Sequence, residues 1–394
     1  MLAVRNTARP RQVAATSMIS RPDTDLRDLR TFQIEAFDGL RGLAALIVVL
    51  SHISNSGFHL VPGADFGGIG KSGVFLFFVL SAFLLTRPLL GVGWGALRPA
   101  QLGVFALRRV LRIYPLYALY LLAAVVTTLY AVPSVAGRPT PLPFPLDWTA
   151  FWRQMSLQDG FGVTWSIVVE FKFYFVLPFL ATGMGVLLAR GGRAWAVAGL
   201  AGVAVALAVW RRVSGAEFEL LATLSYAELF LVGCLGAVLS AREIGAGWRR
   251  LAGVAAAVAG VAYLLTIPSL HSALVAEVAF SHFHEAILLF SAIWFAVVMW
   301  AQFDGPLAKA LFANPPMRHL GDISFSLYLL HVPVLTVMQR LELGSALSAW
   351  LVLGVSVALS TVSYRLVERP LFRLGRRRAQ QTPGVVGTPQ PVTP

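Results

Sequence analysis

The chain has 394 residues, of which 57% are hydrophobic and only 13% charged, too little polar surface for a soluble protein of this size. Its formal net charge of +13 would suit a nucleic-acid binder. The basic residues, however, fall in short clusters between long apolar runs, the positive-inside pattern of a polytopic membrane protein, so the expected partner is a lipid bilayer and not nucleic acid. The single cysteine, Cys234, excludes an intramolecular disulfide and a multi-cysteine metal site.

In chain order, residues 1–36 read as a polar, Arg-rich, disordered cytoplasmic arm. No apolar run closely follows its first arginines, so no cleaved signal peptide is expected. A bilayer core takes about 20 apolar residues per helix. That template predicts an all-α transmembrane domain over 37–373 with ten spans: 40–60, 71–90, 114–132, 165–188, 195–210, 220–240, 250–268, 281–302, 322–340 and 346–367. Segment 91–113 is too polar to span and is expected to lie along the cytoplasmic surface as an amphipathic piece. Loop 133–164, with Trp148 and Trp152 and with Trp165 just beyond it, is the longest external connection. Its aromatics serve either as interfacial anchors or as a lid or sugar-stacking surface. Residues 374–394 read as a disordered cytoplasmic tail.

Orientation follows from the arginines and lysines. The N-terminal arm, Arg98 to Arg112, Arg190 with Arg193, Arg242 to Arg250, Lys309 with Arg318, and Arg369 to Arg378 share one side; Arg211 and Arg212 are the exception. Both termini are therefore expected in the cytoplasm, in agreement with an even span count, and the host is expected to be the cell membrane. No internal repeat is evident, which weighs against an inverted-repeat transporter.

A charge at a helix centre costs roughly 2.5–3.5 kcal/mol on insertion scales, so ionisable residues inside spans point to function. Arg41 and His52 are eleven residues apart, which places them on one helix face and separates them by about 16 Å along the axis. Arg41 is then near the cytoplasmic edge and His52 deep, a spacing comparable with an extended pantetheine arm. A membrane histidine alone is often a structural hydrogen-bonding residue, but a neutral imidazole there is also a base for a hydroxyl. Arg109 and Arg112, three apart, form either a headgroup anchor or a phosphate clamp. Glu170, about 8 Å inward from Trp165, is expected at the depth of His52, where it would orient the imidazole or bind an acceptor hydroxyl. Lys172, two residues on, faces another direction. Asp322 is expected to cap the ninth span, and Tyr328 and His331 to line one cavity. His282 and Glu285 share a face near the eighth span and would touch an acceptor. His282 and His284 point apart, so no metal site is expected.

These segments together resemble the acyltransferase family 3 of membrane proteins, which includes bacterial glycan and macrolide O-acyltransferases. FDGLRGLAALIVVLSH carries the family's arginine, ten residues, histidine pattern at Arg41 and His52. GVFLFFVLSAFLL, LRRVLRIYP, WSIVVEFKFY, GDISFSLYLLH and YRLVERPLFR follow in the family's order, from about Phe37 to Phe372. Departures stand at Phe75, Ala82, Phe171, Lys172 and Phe325. The resemblance implies acyl-CoA, with acetyl-CoA the expected form, as a donor substrate, with no tightly bound cofactor. The acceptor would be a hydroxyl of a glycan, glycolipid or glycosylated natural product. In that reading His52 is general base or transient acyl carrier, Arg41, Arg109 and Arg112 hold the donor, and Glu170 supports His52 or the acceptor. A proton-coupled transporter or flippase built on the same buried residues is the alternative.

Overall fold

The computed structural model describes residues 34–215, 217–241, 245–274 and 286–381, so Arg242, His282, His284 and Glu285 lie outside the described residues. The described chain is helical except for a two-residue antiparallel ladder, Ser134–Val135 with Arg138–Pro139. Helices α1 (Glu35–Asn55) and α2 (Gly70–Leu90) form the centre. Around them stand α3 (Pro99–Leu129), the short α4 (Trp148–Met155), α5 (Trp165–Ser214), α6 (Ala227–Leu239), α7 (Ala246–Leu264) and α8 (Pro268–Leu274). Next come α9 (Ile287–Ala301), α10 (Pro306–Phe312), α11 (Pro315–Asp322), α12 (Ser324–Leu341), α13 (Ser345–Ser363) and α14 (Arg369–Gln381).

Five described helices are long and apolar enough to cross a bilayer, or up to eight if each of three bent pairs is one span. Outward-facing Phe175, Phe179, Val254, Val258, Leu347 and Trp350 are exposed. Apolar faces of this extent need a lipid solvent, so the chain is a multi-pass membrane protein. The bent pairs are α7 with α8 at 88°, α9 with α10 at 113° and α11 with α12 at 76°.

The 50-residue α5 is not one rod. Gly192 has φ 71° and ψ −166°, a backbone conformation only glycine adopts readily, and the helix reverses there. A Cβ at Gly199 would lie 2.5 Å from Leu187 Cδ1, whereas twelve residues along a continuous helix span about 18 Å. Residues beyond its end also return to its start: Lys172 Nζ donates to Leu221 O at 3.1 Å and Thr223 Oγ1 to Val169 O at 2.9 Å. The helical predictions at 165–188 and 195–210 therefore correspond to the two arms of α5.

Three sequence expectations need correction. Segment 91–113 is not a separate surface piece: past a short 3-10 turn at Gly93–Leu97 it is the first half of α3, which continues through Pro115. At about 1.5 Å per residue its 31 residues reach about 46 Å, longer than the bilayer core, so its polar half emerges without breaking. The expected disordered tail begins too early, because α14 continues to Gln381 and packs along α3 with Gly375 and Ala379 buried. Asp322 caps nothing: it ends α11 and is exposed, and the α12 N-cap is Ile323 without a side-chain bond.

The first helix sits where it does because glycines let backbones meet. A Cβ at Gly39 would lie 1.8 Å from Phe312 O and one at Gly321 1.9 Å from Asp38 O, so α1 rests directly on α10 and α11. Glu35 and Arg318 close that end with a 3.0 Å ion pair. This seating fixes the rotation of α1 and with it the direction of Arg41 and His52.

Candidate functional site

Two cavities adjoin α1. The larger, about 560 Å³, is walled on the α1 side by Val48, Ser51, His52 and Asn55, the i, i+3, i+4, i+7 stripe of one helix face. Gly67, Gly68, Gly70, Lys71 and Val74 at the start of α2 form a second wall, and Gly162, Val163, Trp165, Tyr328 and Val332 a third. The smaller chamber, about 70 Å³, contains Arg41, Ser81, Arg112, Glu170, Tyr174 and Ser324. Val74 and Tyr328 line both, so these two side chains stand between them. Tyr328 is held there by its hydroxyl, which donates to Val163 O at 2.6 Å and lies 2.8 Å from Ser166 Oγ.

His52 Nδ1 lies 2.7 Å from His331 Nε2, the rings being stacked at 5.0 Å. His331 is fully buried, and its Nδ1 is 2.9 Å from Leu327 O. A carbonyl can only accept, so Nδ1 of His331 carries the proton and Nε2 of that neutral ring is an acceptor. It follows that His52 donates from Nδ1, and its Nε2 holds the free lone pair. A chain of two imidazoles anchored on a backbone carbonyl thus presets one tautomer of His52 at the cavity wall.

The sequence expectation that Glu170 orients this imidazole is not what the structure holds. The Glu170 carboxylate accepts from Ser81 Oγ and, at 2.5 Å, from Tyr174 Oη, and it lines the smaller chamber with Arg41 and Arg112. Depth counted along α5 put Glu170 level with His52; the carboxylate instead shares the smaller chamber with Arg41. Arg41 donates to Ser324 Oγ at 3.3 Å. The Arg109 guanidinium lies 5.9 Å from the Tyr174 ring centroid and that of Arg112 5.3 Å from the Phe372 ring, so each cation is braced by an aromatic. Arg41, Arg112 and Glu170 are therefore together, Arg109 joins them through Tyr174, and His52 stands apart across Val74 and Tyr328.

Tyr328 lines the cavity as expected, whereas His331 lies behind His52. Trp148 and Trp152 are exposed on α4, while Trp165 is buried and faces the larger cavity, so segment 133–165 supplies both surface aromatics and a cavity wall. Lys172 turns away to Leu221 O. Ser51, Ser81 and Tyr174 were not singled out by sequence. Ser51 precedes His52 and completes the cavity stripe with Val48 and Asn55, a periodicity that would have revealed it. A further buried carboxylate, Glu368, accepts from Ser326 Oγ in the π-turn Tyr364–Glu368, tying YRLVERP to GDISFSLYLLH across two helices.

The sequence model of the family described as an acyltransferase domain matches residues 34–365, most of the chain and both cavities. Among curated proteins, the chain is 24% identical to the peptidoglycan O-acetyltransferase OatA of Listeria monocytogenes, over 87% of this chain and 56% of that protein. It is 27% identical to the putative peptidoglycan O-acetyltransferase YrhL of Bacillus subtilis, over 87% and 56% respectively. The chain thus spans just over half the length of these relatives. No solved structure matches it.

Proposed function

Since the chain belongs to the acyltransferase 3 family, we propose that it is a membrane O-acyltransferase that moves an acyl group, acetyl in the first instance, from acyl-CoA to a hydroxyl of a peptidoglycan-type glycan. The observation that carries this reading is the preset lone pair of His52 Nε2 at the wall of a 560 Å³ cavity, with an arginine-lined chamber adjoining it. A neutral imidazole fixed in one tautomer is the group needed to take a proton from an attacking hydroxyl. The relatives' names support the glycan acceptor and the acetyl group.

In this reading the acceptor enters the larger cavity and its hydroxyl proton passes to His52 Nε2, while His331 keeps the ring in register. Arg41, Arg109 and Arg112 hold the phosphates of the donor, for which guanidinium forks are suited. Glu170 acts on the donor side: by accepting from Tyr174 it orders the ring on which Arg109 rests. The thioester arm reaches His52 past Val74 and Tyr328. The axial separation of Arg41 and His52, about 16 Å, sets the length of that arm.

The same proposal includes the topology. Ten crossings result if the three bent pairs, the short apolar α6 and both arms of α5 each count, with both termini in the cytoplasm of a cell membrane. Donor then arrives from the cytoplasmic side and acceptor from the outer side. Proteoliposomes of known orientation test this: acyl-CoA should support acylation of enclosed or external muropeptide oligosaccharides, read by mass spectrometry, only when supplied on the side of the arginine cluster. Equal transfer with donor on either side of intact vesicles would overturn the arrangement. Activity that vanishes when a proton gradient is dissipated would favour the transporter reading.

A further inference from the structure

Ser51 and the first turn of α2 face the larger cavity, yet the proton path through His52 gives them no task. Ser51 is 1% exposed, and its Oγ has no hydrogen-bond partner among the described residues. A buried hydroxyl without a partner is costly, most of all inside a bilayer. Several hydroxyls on these helices bond the carbonyl four residues earlier: Thr182 to Pro178 O at 2.7 Å, Ser240 to Gly236 O at 2.6 Å, Thr336 to Val332 O at 3.0 Å. Ser51, like Ser291, Ser356 and Ser360, does not, and Ser51 is the one of these four on the wall of the larger cavity.

Its hydroxyl lies instead against the beginning of α2. A Cβ on Gly70 would come within 3.1 Å of Ser51 Oγ, so the first residue of that helix and the hydroxyl are in close contact, tighter than a side chain there would ordinarily accept. The N-terminal end of a 21-residue helix carries the positive end of its dipole; of its first-turn amides, that of Ser72 is bonded to Ile69 O at 2.9 Å. A spare O–H donor and a helix N-terminus thus converge on one cavity wall, one residue along α1 from the base.

Acyl transfer requires such a place. We propose that Ser51 Oγ and the N-terminal turn of α2 form the oxyanion site of the reaction, an assignment that rests on the acyltransferase reading above. As the acceptor oxygen bonds to the acyl carbon, its proton passes to His52 Nε2 and the carbonyl π pair moves onto oxygen. There Ser51 Oγ–H donates to it, and the positive end of the α2 dipole stabilises the charge. The pair then returns to carbon–oxygen, the carbon–sulfur bond breaks, and the departing thiolate takes the proton from His52, leaving ester and free thiol. Donors preset in a water-poor cavity act on the charge that develops and not on the resting carbonyl, so their loss lowers turnover and leaves ground-state binding alone.

Ser51→Ala and Ser51→Cys test the assignment in the purified full chain, with initial rates read as thiol release from acetyl-CoA in the presence of muropeptide oligosaccharides. Alanine removes the donor; cysteine fills the space but donates weakly. Both are expected to lower kcat about 100-fold or more with both KM values within about threefold, the signature of one lost oxyanion donor. The thermal midpoint of Ser51→Ala should equal or exceed wild type, because the hydroxyl has no native partner to lose. Turnover of Ser51→Ala within about threefold of wild type would overturn the assignment, as would full recovery in Ser51→Cys, which would make the role one of packing. A raised acceptor KM with unchanged kcat would also overturn it, pointing to ground-state binding. Wild-type protein with no transfer from acetyl-CoA would defeat the acyltransferase reading itself, a separate result that requires no variant.

Discussion

His331→Leu removes the acceptor that fixes the tautomer of His52 and leaves a side chain of similar bulk in a fully buried position. The 2.7 Å contact between the rings and the 2.9 Å bond to Leu327 O are both lost. His52 Nδ1–H is then left without its partner, or the ring protonates at Nε2 instead and ceases to be a base on the cavity side. Leaving a buried donor unsatisfied costs about 1–3 kcal/mol, which corresponds to about 5–150-fold in kcat at 1.36 kcal/mol per decade. Substrates do not touch His331, so kcat and kcat/KM should fall together with KM unchanged. His331→Gln should recover part of the loss, since its side-chain carbonyl can accept from His52 Nδ1–H. The assay is initial-rate thiol release by purified protein, normalised to the monodisperse fraction. Turnover of His331→Leu within twofold of wild type, with an equal folded fraction, would refute the tautomer argument; glutamine performing no better than leucine would refute the hydrogen bond as its cause.

Other expectations follow from the same geometry. His52→Ala should abolish transfer while expression and membrane insertion persist, whereas His59→Ala, in the loop after α1 where its backbone N–H donates to Ser345 Oγ, should keep near wild-type rates in the same assay. Arg112→Ala should raise the apparent KM for acyl-CoA more than that for the glycan, with Arg112→Lys only partly restoring it because the guanidinium fork is lost; equal change for both substrates would make the residue structural. Gly39→Ala would place a methyl 1.8 Å from a backbone oxygen of α10 and should sharply reduce the monodisperse yield; a variant with an unchanged thermal midpoint would show that α1 can slide.

The fold was legible in the sequence where apolar length decides it and obscure where a single backbone conformation does. The run predicted at 71–90 coincides with α2 and that at 40–60 with α1, which begins and ends five residues earlier, because the stretches between Arg41 and His52 and between Lys71 and Arg87 are uninterrupted by charge. The reversal inside α5 was visible as an interruption between 188 and 195, but its agent, the positive φ of Gly192, is a property of one residue that hydropathy averages away. Polarity misleads at 91–113, since its arginines set it apart as an amphipathic surface piece ahead of a span at 114–132, whereas α3 runs through both. In the structure Arg112 is stacked against Phe372, and Arg109 lies over Tyr174, so the helix carries its charges inward on aromatic supports.

The site divides along the same line. Spacing along one helix fixes both face and height, so eleven residues of α1 suffice to place Arg41 and His52 against two adjoining cavities. Relations between helices depend on how far each is rotated and displaced against its neighbour, and periodicity contains no such term. His52 and His331 are 279 residues apart in sequence, and only the seating of α1 on α11 and the bend between α11 and α12 bring their nitrogens to 2.7 Å. Glu170 illustrates the same limit: its carboxylate accepts from Ser81 and Tyr174 in the chamber of Arg41 and Arg112, a relation between helices that depth along α5 does not contain. The consequence for chemistry is specific. A carboxylate beside His52 would stabilise an imidazolium, as in hydrolase triads. A second imidazole does not, because its Nε2 can accept one hydrogen bond but carries no negative charge. In the proposed reaction His52 is therefore an oriented base whose ring partner is a second imidazole and not a carboxylate, which favours return of the proton to the leaving group over accumulation of a charged intermediate.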